Sequence, residues 1–407
     1  MRNIRIIIFA MVLHFTASAQ VLTLDSLLKK VARNNLNLQG FASKIDAMNA
    51  YAGGAKNWEA PLISGGLWMT PYNMQKDMGM AMLSIQQMIP NPGKLSAKQN
   101  YMRGLSSVET ENKKYLNNQL NFLAKTSYYD WVILKKKITL LKETTELLKF
   151  MIKSAENGHA YGKNNLSSVY KAQASLYQLD NMQMEFTQEI KQKNLAINTL
   201  LNLNQNTILD VDTALNMKQE VFLNADTTAL QSSRSDLKAI EQNIRILKLT
   251  QAMEYNKRKP DFGLRYDHMN SFGNQANLFT LMGMVTVPIA PWASREYKAN
   301  IKGAELDIST LELQRKSLLK DAEGRLAVLK EAIKTKRMQL NNYSKNIIPA
   351  FSNNYKATLL AYSENTESVS VLLDALQGWQ TTRLEHLNKL QELLQLQAEY
   401  EKEAEHE

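Results

Sequence analysis

The stretch Met78–Pro90, MGMAMLSIQQMIP, alternates between two kinds of side chain with a period of two. Residues two apart share a face of a strand and no common face of a helix. Met78, Met80, Met82, Ser84, Gln86 and Met88 therefore form one face, soft and partly polar. Ala81, Leu83, Ile85 and Ile89 form the other. Similar patterns over residues 62–72, 261–270 and 276–288 join 77–89 to predict four strands. At about 10–13 residues each, they match the length of tilted membrane-spanning strands.

After the first strand pair the period becomes helical. A heptad runs from about Lys94 to Asn157. Ala124, Trp131, Ile138, Thr145 and Ile152 take one seam position, and Ser127, Leu134, Leu141, Leu148 and Ala155 take the other. Roughly 64 residues at 1.5 Å each make a rod of about 95 Å. A second long helix is expected over about Ser294–Tyr362, kinked at Pro349. Return helices over about Asn165–Asn204 and Glu367–Glu405 complete the set, with moderate ones over about Thr23–Tyr51 and Asp236–Lys257. End to end, the shorter helices match the long ones in length.

These elements come in the same order twice, offset by about 200 residues, as internal repeats do. NNLNLQGFASKIDAM at Asn34 resembles SDLKAIEQNIRILKL at Ser235, and YGKNNLSSVYKAQASL resembles YSENTESVSVLLDALQ. The chain divides into a leader (1–19), a first repeat (20–202, strands about 62–89, long helices about 94–204), a polar bridge (203–235) and a second repeat (236–407, strands about 261–288, long helices about 294–405). Four strands cannot close a barrel, and an open edge in lipid leaves backbone groups without partners, so copies must pool strands. Two copies give 8 strands and a filled lumen; three give 12 and a modest pore.

Composition sharpens this picture. The start, MRNIRIIIFAMVLHFTASAQ, has two arginines, an apolar run from Ile6 to Phe15 and Ala17-Ser18-Ala19, the pattern of a secretory signal cut before Gln20. The run is shorter than the roughly 20 apolar residues of a spanning helix. Without Arg2 and Arg5 the net charge of +10 falls to about +8, spread along helices, with no nucleic-acid motif. No cysteine is present, which excludes disulfides, thiolate metal sites and a cysteine-borne lipid anchor. No G-x-S-x-G, Walker loop, H-E-x-x-H or dinucleotide fingerprint is found, so an enzyme is not expected, nor any cofactor.

LTLDSLLKKVARNNLNLQ near the N-terminus, the strand exits NPGKLSAK and VPIAPWASREYKA, and the duplicated helix-turn segments resemble the TolC family of outer-membrane efflux proteins over nearly all of the chain after residue 19. The resemblance implies a mainly α fold with a membrane β-barrel: long antiparallel coiled-coil helices forming a trimeric α-barrel tunnel through the periplasm, and four strands per protomer in a 12-stranded barrel in outer-membrane lipid. It implies a homotrimer docked on a periplasmic adaptor (a membrane fusion protein) and an inner-membrane pump of the RND type, and an exit duct with no enzymatic role. A methionine-rich first hairpin and IIPAFSNNY before the second turn look most like the heavy-metal branch. Drug efflux and type I protein secretion are the alternatives within the family. A structural periplasmic coiled-coil protein is the alternative outside it.

By the same resemblance the two turns are periplasmic tips that meet the adaptor: Gly162, Lys163, Asn164, Asn165 and Leu166 in the first, and Asn365, Thr366 and Glu367 in the second. Gly162 and Asn365 take the place of a left-handed residue that ends a long helix. The family's D-V-L-D-A aperture motif reads Val371-Leu372-Leu373-Asp374-Ala375 in the second repeat and Ser168-Val169-Tyr170-Lys171-Ala172 in the first. Only Asp374 matches, so an acidic ring is incomplete and closure falls to apolar or tyrosine contacts. In the barrel, Leu83, Ile85 and Ile89 are expected to face lipid, with Phe279, Leu281, Val285 and Val287. Met80, Met82, Met282 and Met284 are expected to face the lumen, where thioethers suit Cu(I) or Ag(I) or serve as flexible filler. His159 and His268 have no partner at ligand spacing. Trp58, Trp68, Tyr72, Tyr266 and Trp292 lie near strand ends, where aromatic girdles form.

Overall fold

The computed structural model describes residues 21–73, 78–161, 165–214, 227–288 and 290–405. The leader, Gly162, Lys163 and Asn164 lie outside the described residues, as does part of the 203–235 bridge. The elements are β1 (Val21–Leu22), α1 (Leu24–Asn34), α2 (Leu36–Gly54), β2 (Leu62–Trp68), β3 (Met80–Ile89), α3 (Pro92–Ala160), α4 (Leu166–Leu200), β4 (Asp210–Val211), α5 (Thr227–Ser233), α6 (Ser235–Asn256), β5 (Asp261–Ser271), β6 (Leu278–Thr286), α7 (Pro291–Asn342), α8 (Ile348–Ser363) and α9 (Val369–Ala404). They form two compact units. The first draws on Met1–Asn35, Leu120–Val221 and Leu329–Tyr400, the second on Leu36–Gln119, Phe222–Val328 and Glu401–Glu407.

The first unit is helical. Leu141, Leu148 and Met151 of α3, Val169, Ala172 and Leu179 of α4, Tyr355 of α8, and Leu372, Leu373 and Leu376 of α9 make its core. Tyr355 stacks on Trp379 with ring centres 5.2 Å apart. The expected α3 seam is half right. Leu134, Leu141, Leu148 and Ala155 are buried, and so are Ala124 and Trp131 of the other expected position. From there on that position passes to Lys137, Thr144 and Met151, one residue earlier than the sequence pattern suggested, with Asp130 buried beside Trp131, while Ile138, Thr145 and Ile152 are only partly buried. The shift follows from hydrogen bonding. Asp130 Oδ1 accepts from Gln391 Nε2 (2.8 Å) and Gln395 Nε2 (2.7 Å), Asp130 Oδ2 accepts from Lys193 Nζ (2.7 Å), and Lys137 Nζ donates to Gln391 Oε1 (3.2 Å). A buried carboxylate with each oxygen engaged is tolerated where an unpaired one is not.

The helix expected over Thr23–Tyr51 is two. Asn35 breaks it with an extended backbone (φ −67°, ψ 123°), and its side-chain amide donates to the Leu200 carbonyl at 3.1 Å. Asparagine favours such local polar bonds over a helix interior. A parallel two-stranded ladder, Val21 with Asp210 and Leu22 with Val211, was not anticipated. Where a kink at Pro349 was expected, the structure has a π-helical turn over Tyr343–Ile347, next to a proline that cannot supply the N–H the preceding turn would take.

The second unit holds the sheet, α2, α6 and parts of α3 and α7. Strand order is β2-β3-β5-β6, all antiparallel, so the two hairpins join through β3 and β5. Gly79 (φ +107°) closes the first hairpin where a Cβ would lie 2.4 Å from Thr70 Oγ1. At its exit, Asp261 accepts from the Asn91 N–H (2.9 Å) and Lys94 Nζ (2.6 Å), which ties the NPGK turn to the start of β5. At the start of α6, Arg234 donates to both Asp236 oxygens (3.0 and 2.6 Å) and to the Glu403 carbonyl (2.7 Å) and carboxylate (3.2 Å), while Glu405 accepts from the Ser235 N–H (2.6 Å) and hydroxyl (2.9 Å). Carbonyls ending α9 and N–H groups starting α6 are thus each capped by a side chain from the other.

Candidate functional site

The four-stranded sheet has two chemically opposite faces, fixed by register. On one lie Ile63, Leu67, Leu83, Ile85, Phe262, Leu264, Tyr266, Phe279, Leu281 and Val285, every one solvent-exposed in the single chain. Tyr266 and Phe279 stack across β5 and β6 at 6.2 Å. An apolar face of this extent is covered by something in a working protein. His268 shares it, exposed and among apolar neighbours.

The opposite face is polar and soft. One row across all four strands reads Ser64, Ser84, Asp267, Thr280; the next reads Leu62, Gln86, Arg265, Met282. Ser84 donates its hydroxyl to Asp267 Oδ1, and Arg265 Nε donates to the same oxygen at 2.8 Å. This charged pair was missed from sequence, although Arg265 and Asp267, two apart in a strand, necessarily share a face. The four expected methionines, Met80, Met82, Met282 and Met284, lie here, joined by Met88 and by Met269, which stands opposite Met82. Met88 Sδ and Met284 Cε crowd over Gly263, at 2.7 and 3.0 Å from where its Cβ would be. Among the described residues no group of three or more His, Asp or Glu could hold a metal ion.

The outer edges of β2 and β6 have no strand partner among the described residues. No described helix is long and apolar enough to cross a membrane. Trp58, Trp68, Tyr72, Tyr266 and Trp292 are all exposed.

At the other expected site, Asn365 adopts φ +58°, and the N–H groups of Thr366 and Glu367 both return to the Ala361 carbonyl (2.9 and 3.3 Å), closing the end of α8. Asn165 precedes α4 with an extended backbone and no side-chain cap, and Leu166 opens the helix half exposed. Asp374 is not an isolated acid: Lys171 Nζ donates to its Oδ1 at 2.7 Å. Tyr170 and Val371 beside them are exposed. The sequence had brought Lys171 and Asp374 to equivalent repeat positions without pairing them.

Residues 27–203 match the family described as outer membrane efflux protein. No curated protein matches the chain. Among solved structures, CusC is 15% identical with a TM-score of 0.78 over 94% of this chain and 91% of that one. The Campylobacter jejuni CmeC outer membrane channel is 15% identical, TM-score 0.75, over 94% and 85%. VceC of Vibrio cholerae is 12% identical, TM-score 0.74, over 94% and 96%. At such identities the likeness is one of fold, and the match in sequence is confined to residues 27–203. Residues 27–203 are thus similar in sequence to the outer membrane efflux protein family, and the chain as a whole shares the fold of these outer-membrane channels.

Proposed function

We propose that this outer-membrane protein, which extends into the periplasm, is the passive exit duct of a three-part efflux system. Three copies pool their strands into a 12-stranded barrel, and their long helices form one tunnel. The observation that carries the reading is the sheet: one exposed apolar face, one polar face and two unpaired edges. In lipid such edges are untenable, and closure with neighbouring copies removes them. The apolar face then meets lipid and the methionine-bearing face meets the lumen.

The tips, with Gly162, Lys163, Asn164, Asn165, Leu166, Asn365, Thr366 and Glu367, receive a periplasmic adaptor that links the duct to an inner-membrane pump of the RND type. Six thioethers per chain on the inner face favour soft monovalent cations such as Cu(I) or Ag(I) as cargo over organic compounds. Weak, dispersed contacts of this kind let an ion enter and leave.

Native mass spectrometry in detergent tests the assembly: three copies are expected, and a stable folded monomer or an even-numbered ring refutes it. Cysteines at Met82 and Met284 should react with a water-soluble thiol reagent, whereas those at Leu83 and Val285 should not. The reverse pattern inverts the barrel. Leucine at Met80, Met82, Met282 and Met284 keeps side-chain volume and removes sulfur. Silver tolerance should then fall while tolerance to organic compounds holds; unchanged silver tolerance in an assembled variant returns these residues to filler. A carbonate wash that strips the protein from the outer-membrane pellet would favour a peripheral coiled-coil role instead.

A further inference from the structure

We infer that Lys171 and Asp374 form a charge-alternating, electrically neutral ring at the tip end of the duct, and that this ring sets the channel's ion preference. The inference rests on the trimeric duct proposed above. Its observation is a ladder between α4 and α9. Ser168 Oγ lies 3.1 Å from Ser370 Oγ, Lys171 Nζ donates to Asp374 Oδ1 at 2.7 Å, and Gln377 Nε2 donates to Ser175 Oγ at 2.7 Å. The rungs are about one helical turn apart. Numbers rise together on both sides, so the two helices run parallel. Each rung joins residues 202 or 203 positions apart, which is the offset of the internal repeat. The two repeats are thus side by side at this level, with corresponding turns of the two helices facing each other and Lys171 opposite its counterpart Asp374.

Val169 and Ala172 of α4 and Leu372 and Leu373 of α9 are buried in the core, whereas the Lys171 and Asp374 side chains are 44% and 63% exposed. Two parallel helices therefore offer a shared charged face away from the core. A trimer of a chain with two repeats places six equivalent positions around its axis. Here they alternate in sign, three lysines and three aspartates. An acid in both repeats would instead stack six negative charges. Rings of like charge give a pore its sign preference. Opposite charges in contact cancel at any distance large compared with their separation, so this ring has little net field to offer a passing ion. Exposed ion pairs contribute little to stability, so either partner can be replaced in a folded protein.

The test is the reversal potential of the purified protein in planar lipid bilayers under a KCl gradient. Wild-type K⁺ and Cl⁻ permeabilities should lie within about twofold of each other. Lys171→Gln leaves three acids and should favour K⁺ by roughly threefold or more, and Asp374→Asn should favour Cl⁻ by a similar factor. The charge exchange Lys171→Asp with Asp374→Lys should bring the ratio back near one. Strong cation preference in the wild type, or conductance with an unchanged ratio in both single variants, overturns the ring while leaving the duct intact. No conductance from the wild type overturns the duct itself, and the ring with it.

Discussion

Replacing Asp130 with alanine should destabilise the helical unit by about 3–5 kcal/mol, the usual effect of removing one partner from a buried ionic network. The magnitude can be built from the contacts. Two neutral amide donors, from Gln391 and Gln395, lose their acceptor at about 1 kcal/mol each, and the charge-assisted bond from Lys193 adds roughly 1.5–3 kcal/mol. Lys193 is about one-third exposed and can turn to water, which holds the figure to this range. The loss spreads to Lys137, whose ammonium donates to Gln391 and lies 5.4 Å from the Phe186 ring. Burial already holds the Lys137 pKa below the ordinary lysine value, with Glu189 and Asp130 pulling it back up. Without Asp130 that buried charge is less well compensated. Asp130→Asn keeps an acceptor for Lys193 and should cost less than alanine. The measurement is denaturant unfolding of the detergent-solubilised protein followed by circular dichroism, with the emission of buried Trp131 as a local probe. A double-mutant cycle with Lys193→Ala isolates the pair. A loss under about 1 kcal/mol for Asp130→Ala, or no coupling to Lys193, would refute the claim that this network is what places a carboxylate in the α3 seam.

Asn365→Val forces a β-branched residue to φ +58° and should cost about 1–2 kcal/mol, while Asn365→Gly should be neutral or stabilising, read as thermal midpoints. Lysine at Leu83, on the apolar sheet face, should cost about 2–4 kcal/mol in assembly at mid-membrane depth, whereas lysine at Met82 on the opposite face should not, measured as heat-resistant trimer on semi-native gels. At the α6–α9 junction, burial pushes the Glu403 carboxyl up, but Lys402 and Arg234 outweigh it and the folded pKa lies below the ordinary value. The corresponding stability is therefore fully present above the unfolded glutamate pKa and is lost as pH falls through the folded one. Glu405 has the opposite sign: burial raises its pKa against the bonds from Ser235, so its contribution is present at low pH and fades as pH rises. Glu403→Gln should flatten the acid limb of thermal midpoint against pH, and an unchanged limb would exclude Glu403 as its source.

The strands were legible because a period of two over ten residues admits little else, and parity then fixed which side chains share a face. Met82 and Leu83 had to part, whatever the tertiary structure. Long helices were legible for the same reason at a longer period. The β1–β4 ladder was not, since two residues carry no periodicity, and neither was the break at Asn35, which depends on a carbonyl 165 residues away. The seam of α3 is the more instructive miss. Hydropathy ranks a residue by what it is, so Ile138 outranked Lys137, and Asp130 was passed over beside Trp131 although both are buried. Burial of a polar group is decided by its partners. The partners of Asp130 sit 63, 261 and 265 positions away, beyond any local pattern. Yet an internal repeat offers one long-range signal that local patterns lack. Where two copies of a unit come to lie in parallel, equivalent positions become neighbours, and like charges there would repel. Opposite signs at one repeat position, as at Lys171 and Asp374, are the mark such a contact leaves in a sequence. The first repeat's lysine, seen alone, is a departure from an acidic motif. Beside its counterpart it is the other half of an ion pair.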